Sequence, residues 1–138
     1  MIAASEIMTT KLKTLHPKDD IFRAIEIFEK YDIHHIPIMV SNTLVGIISQ
    51  GDVLAHNKRE DLGRYYYPNN VTASSPKIED VMSKNIVTVQ EDSELTSILS
   101  LLIKHKINCL PVFKDEGIAG IITSCDIYKT LKNILEKN

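Results

Sequence analysis

The chain has 138 residues, 43% of them hydrophobic and 25% charged, with a formal net charge of −2. That is enough chain for one compact unit, or two small lobes sharing a core, without a disulfide or metal staple. The slightly acidic balance argues against nucleic acid as the main partner. No apolar run approaches the roughly 18 residues a membrane helix needs.

The first residues, Met1 to Glu6, lack the basic and apolar regions of a signal peptide. The two cysteines, Cys109 and Cys125, form no CxxC pair, so a reducing cytoplasm is the expected compartment. Lys11 to Leu15 alternates as a short strand does. Asp19 or Asp20 is of N-cap type, and Ile21, Ala24, Ile25 and Phe28 then give one buried helical stripe. Ile36 to Val40, a polar turn at Ser41-Asn42-Thr43, and Leu44 to Ile48 read as a hairpin. Pro37, which cannot donate to a ladder, is expected at a strand start or edge. A second helix is expected to leave from Asp52. Asn57 to Lys77 reads as a continuation of it and then a loop. The run Tyr65-Tyr66-Tyr67 within it suits either a ligand platform or, more commonly, a cover for the protein's own apolar surface.

The rest of the chain repeats the first part at an offset of 74 residues (82 − 8). Met8 matches Met82, Thr14 matches Thr88, Lys30 matches Lys104, Ile33 matches Ile107 and Pro37 matches Pro111. Gly46-Ile47-Ile48 matches Gly120-Ile121-Ile122, and Asp52 matches Asp126. The second copy therefore predicts a strand over Asn85 to Val89, a helix capped at Asp92 or Ser93, and a hairpin from Leu110 to Ile122. Its first helix carries Leu95, Ile98, Leu99 and Leu102. It adds Leu101 and Ile103, an arc wide enough to predict burial on more than one side. The expected division is 1–60 for the first repeat, 61–77 for a linker and 78–138 for the second repeat. The fold class is α+β (α/β), with strand, helix, strand, strand, helix in each copy.

Both copies carry Gly-Ile-Ile-[Ser/Thr]-x-x-Asp where a strand turns into a helix. Free N–H groups at a helix start favour an anion. A Ser49 or Thr123 hydroxyl can add a bond to a phosphate, and the carboxylate of Asp52 or Asp126 can accept both hydroxyls of a sugar diol. Ser-x-x-Asp is equally a capping box that satisfies only its own helix. Four and seven residues beyond Asp52 stand His56 and Arg59, where the second copy has Thr130 and Asn133. They are possible phosphate contacts that would let the first site tolerate more phosphate charge, or simply a solvated helix face. His34 and His35 point to opposite faces of a strand and cannot chelate one metal. No nucleophile, base and orienting group come together, so no catalysis is expected.

This doubled pattern resembles a tandem pair of cystathionine-β-synthase-type (CBS) domains over about Ser5 to Tyr128. The resemblance implies two β-α-β-β-α repeats related by a pseudo-two-fold axis, with ligand clefts between them. It implies a regulatory, non-catalytic module that binds AMP, ADP, ATP or S-adenosylmethionine. By position, Asp52 and Asp126 would hold ribose, and Ser49 and Thr123 would meet phosphate. His35-Ile36-Pro37 and Cys109-Leu110-Pro111 would line the adenine pocket. A homodimer is implied, acting on a separate, unidentified partner protein. The alternative reading is a ligand-free dimerisation or protein-interaction module.

Overall fold

The structure, a computed structural model, describes residues 1–59 and 76–137. The tyrosine run at 65–67 and most of the expected linker lie outside the described residues. The chain forms two compact units. One is Lys13–Ile86; the other joins Met1–Leu12 to Val87–Asn138.

In the first of these, helix α2 (Ile21–Tyr31) precedes the hairpin of β1 (His35–Val40) and β2 (Thr43–Ser49), and helix α3 (Gln50–Arg59) follows. The predicted stripe is buried: Ile21, Ala24, Ile25 and Phe28 are all at most 3% exposed. They pack with Ile36, Ile38, Ile48 and Val53 into one core. The expected first strand shrinks to a single parallel bridge between Leu15 and Ile38.

The other unit opens with the short helix α1 (Ala4–Ile7). It contains β3 (Val89–Gln90), helix α4 (Leu95–His105), β4 (Cys109–Lys114), β5 (Gly117–Thr123) and helix α5 (Ser124–Glu136). β3 pairs parallel with β4, and β4 antiparallel with β5. Its core is built from Ala4, Val89, Ile98, Leu110, Val112 and Ile122. Both hairpins carry a register shift at the same place, after Ile38 and after Val112.

The short segments before each repeat's first strand are exchanged between units. Met1–Leu12, ahead of α2 in sequence, packs with the second hairpin. Ile78, after the first hairpin in sequence, is fully buried in the first core. The exchange explains where the helices start. Both α2 and α4 begin without a side-chain cap. Instead the Ile21 N–H donates to the Pro76 carbonyl at 3.1 Å, and the Leu95 N–H to the Ile2 carbonyl at 2.8 Å. Backbone from the exchanged segment thus satisfies one of the first N–H groups that the helix itself leaves open. Asp20 is left to pair with Lys77 Nζ at 3.0 Å. The second helix is preceded by Glu94 rather than Asp92 or Ser93, because the bridge between Ala3 and Glu94 sets its start.

One further expectation is met in part and another is corrected. Pro37 stands on an edge strand of the two-stranded β1–β2 sheet, one of its two expected places, but as the third residue of β1, opposite Ile47, and not at its start. It is tolerated because Ile47 directs both its N–H and its carbonyl to Ser83, so β2 asks no donor of Pro37. Helix α4 is not buried on several sides. Of its apolar residues only Ile98 is fully enclosed, Leu101 is half-buried, and Ile103 is 76% exposed.

Candidate functional site

Each hairpin delivers its last strand residue directly into a helix, and the predicted carboxylate is the third residue of that helix. In the Lys13–Ile86 unit the two side chains bond reciprocally. The Ser49 N–H donates to Asp52 Oδ2 at 2.8 Å, and the Asp52 N–H donates to Ser49 Oγ at 3.0 Å. This is a complete capping box. It leaves Asp52 half-buried, and among the described residues no donor reaches its Oδ1.

The second turn is built on the same backbone with a different network. The Thr123 N–H donates to Asp126 Oδ2 at 2.9 Å, and the Thr123 hydroxyl to the same oxygen at 3.3 Å. The Thr9 hydroxyl donates to Asp126 Oδ1 at 2.9 Å. Asp126 is only 8% exposed. Thr9 is a site residue that the sequence reading missed. Its signal was present: Thr9 and Ser83 are equivalent under the 74-residue offset, each following a matched methionine.

The glycines of the two turns serve the same exchange. A Cβ on Gly46 would collide with Met82 Sδ and come within 3.0 Å of the Ser83 carbonyl. On Gly120 it would lie 2.7 Å from Met8 Sδ and 2.8 Å from the Thr9 carbonyl. Both distances are well inside van der Waals contact. Their role here is close approach of the exchanged segment, which places Thr9 and Ser83 beside the turns.

The strand-entry residues divide into two groups. His35 lies opposite Ser49, and Cys109 opposite Thr123, so each shares a face with the cap residue. Burial lowers the His35 pKa below the ordinary imidazole value, His34 lowers it further, and Asp52 opposes the shift. Burial also pushes the Cys109 thiol up to about 12, with Asp126 adding to it. The imidazole is thus held neutral beside one carboxylate, and an inert thiol stands beside the other. Ile36 and Leu110, in contrast, are fully enclosed in their own cores, and Pro37 and Pro111 are buried.

The second set of candidates is split. His56 is half-buried on α3, with Nε2 shielded from solvent and without a hydrogen-bond partner among the described residues. Its equivalent, Thr130, donates from Oγ1 to the Asp126 carbonyl at 2.8 Å. Arg59 ends α3, and its side chain lies outside the described residues.

A family model described as CBS domain matches residues 4–58 and 78–133. The chain belongs to the CBS domain family. It holds a tandem CBS pair, and solved pairs are similar to it over nearly their whole length. The CBS domain pair of protein MJ0100, in complex with 5′-methylthioadenosine and S-adenosyl-L-methionine, is 27% identical. It aligns over 96% of this chain and 98% of that one, with a TM-score of 0.80. AcuB from Vibrio cholerae is 31% identical over 99% of this chain and 94% of its own, with a TM-score of 0.79. Among curated proteins, the inosine-5′-monophosphate dehydrogenase of Methanocaldococcus jannaschii is 32% identical over 131 residues. These are 94% of this chain and 23% of that enzyme. The chain spans less than half the length of the first curated relatives it matches. No helix among the described residues is long and apolar enough to cross a membrane.

Proposed function

We propose that this CBS pair is a non-catalytic regulatory module that binds an adenosyl ligand at its two strand-to-helix turns and signals to a separate partner protein. The observation that carries the reading is the pair of carboxylates, Asp52 and Asp126. Each is oriented by the N–H of its own cap residue and stands in the first turn of a helix. A fixed carboxylate beside a helix N-terminus can accept hydroxyl donors from ribose while the helix end favours the phosphate or another anionic group. That the MJ0100 pair holds two adenosyl compounds supports the ligand class. AMP, ADP, ATP and S-adenosylmethionine are the candidates. Ser49 and Thr123 would face the phosphate, and the backbone at His35-Ile36-Pro37 and Cys109-Leu110-Pro111 would face adenine. His56 and Arg59 would add phosphate contacts at the first turn. Both cysteines are free, in keeping with a reducing cytoplasm.

A thermal-shift panel with AMP, ADP, ATP and S-adenosylmethionine tests this. At 100 times its dissociation constant a true ligand stabilises by about 2.7 kcal/mol, which for a chain of this size raises Tm by roughly 8 °C. No shift with any of the four transfers support to the alternative, a ligand-free interaction module.

The same reading includes a homodimer, and one surface favours it. Along α5, Tyr128, Leu131 and Leu135 are 68%, 52% and 65% exposed, on one side of the helix. Lys132 and Glu136 flank them on the same helix. Covering such apolar side chains contributes about 1.5–3 kcal/mol each. Leu131→Glu is therefore expected to weaken self-association more than ten-fold, read as a shift from dimer to monomer in sedimentation. An unchanged dimer in this variant would move the interface elsewhere.

A further inference from the structure

The two turns share a backbone but not an acceptor capacity. A carboxylate has about four lone-pair positions. Asp52 commits one, to the Ser49 N–H at 2.8 Å, and among the described residues nothing else donates to it. Asp126 commits three: two at Oδ2 to Thr123, at 2.9 and 3.3 Å, and one at Oδ1 to the Thr9 hydroxyl at 2.9 Å. A vicinal diol brings two O–H donors. Asp52 can accept both with capacity to spare, whereas Asp126 can accept about one unless an existing bond is given up.

We propose that Thr9 is a specificity-determining positioning residue that ranks the two turns. The Asp52 turn takes an intact ribose diol. The Asp126 turn, held by Thr9, takes it more weakly and depends less on having both hydroxyls. This rests on the ribose-binding reading above.

The hold is built into the fold. Thr9 is anchored by two backbone bonds to Ile121, at 2.8 and 2.9 Å, and its branched Cβ restricts the hydroxyl to few directions. Ser83 has the same two bonds to Ile47, at 2.8 and 3.0 Å. Among the described residues, though, its hydroxyl reaches no partner. The frame is therefore equal and the side chains differ. The cap residues point the same way. Ser49 Oγ accepts from its helix and leaves the carboxylate alone, whereas Thr123 spends its proton on Asp126. Asp126 is also the more enclosed of the two acids.

The test titrates AMP, S-adenosylmethionine and 2′-deoxy-AMP into the full chain. Two affinities are expected. Asp52→Asn removes the tighter and Asp126→Asn the weaker, and 2′-deoxy-AMP loses more at the tighter one. Thr9→Val, which keeps the shape and deletes the hydroxyl, tightens the weaker site about five-fold, the net worth of one released hydrogen bond. Thr9→Ser restores the original value. Equal affinities in the parent chain, or a Thr9→Val chain that binds as the parent does, overturn the ranking.

A second measurement needs no ligand. In a double-mutant cycle on urea stability, Thr9→Val and Asp126→Asn are non-additive, while Ser83→Ala and Asp52→Asn simply add. Additivity in both cycles removes the hold itself and overturns the proposal. Coupling at Thr9 with no binding of either AMP or S-adenosylmethionine rejects the ribose reading, and the ranking with it.

Discussion

Asp52→Ala lowers adenosyl-ligand affinity at the first turn by roughly 30- to 1,000-fold. The estimate follows from two hydroxyl donors to one carboxylate, at about 1.5–3 kcal/mol for a bond to a charged group and less than full additivity. The same side chain also accepts the Ser49 N–H, so its loss costs about 1 kcal/mol of stability as a missing cap. Ser49→Ala separates the two roles. It deletes the acceptor for the Asp52 N–H and leaves the carboxylate in place. Ser49→Ala should therefore match Asp52→Ala in lost stability while losing only the one neutral bond to the phosphate, about five-fold in affinity. Titration calorimetry at a temperature where all three chains are folded reads the difference. If Asp52→Ala binds like the parent, the carboxylate is a helix cap and nothing more.

The hairpins, the α2 stripe and the two Ser/Thr-x-x-Asp turns were legible because each is a local pattern. Period 3.6 placed Ile21, Ala24, Ile25 and Phe28, and the matched Pro37 and Pro111 located equivalent strands. What could not be read was which copy of a repeated segment pairs with which hairpin. Met8 and Met82 are equivalent, so exchanging their segments leaves every local pattern unchanged. Three misses follow from that one ambiguity. Asp20, one of the two expected cap residues, does stand at the N-cap of α2, but its carboxylate pairs with Lys77 of the exchanged segment instead of capping. The start of α4 moved to Glu94 because Ile2 and Ala3 run past it. Thr9 was not expected near Asp126, since 117 residues separate them. Ile103 is a different kind of miss. Apolar character over a wide arc predicts burial, yet a side chain 76% exposed in a single chain marks a surface that burial within this chain does not explain.

The conserved geometry of the two turns also changes what a glycine there means. On the sequence, the Gly of Gly-Ile-Ile is simply the first residue of a repeated motif. In the structure, Gly120 lies against the exchanged segment, and the largest stability effect outside the two cores is expected there. A Val side chain at 120 must displace Met8 Sδ, 2.7 Å from the ideal Cβ, and the Thr9 carbonyl at 2.8 Å. The sulfur is the end of a flexible side chain and can move. The carbonyl cannot move without breaking the pair of bonds between Thr9 and Ile121. Overpacking of this kind costs about 1–3 kcal/mol and the lost bridge about 1 more, so Gly120→Val should cost about 3 kcal/mol. That lowers Tm by roughly 10 °C in a chain of this size. Gly117→Ala is the matched control. The nearest atom to its Cβ is the Lys114 carbonyl at 3.9 Å, an ordinary contact, so it should stay within about 0.5 kcal/mol of the parent. Adding Met8→Ala to Gly120→Ala should recover only part of the loss, because the Thr9 carbonyl still blocks the Cβ. Hydrogen exchange supplies the local readout: in Gly120→Val the Thr9 amide loses protection, while the Thr123 amide, bonded to Asp126, loses less. Urea midpoints for Gly120→Val and Gly117→Ala that coincide would mean that the Met1–Leu12 segment is not packed on β5, and the placement of Thr9 beside Asp126 would fall with it.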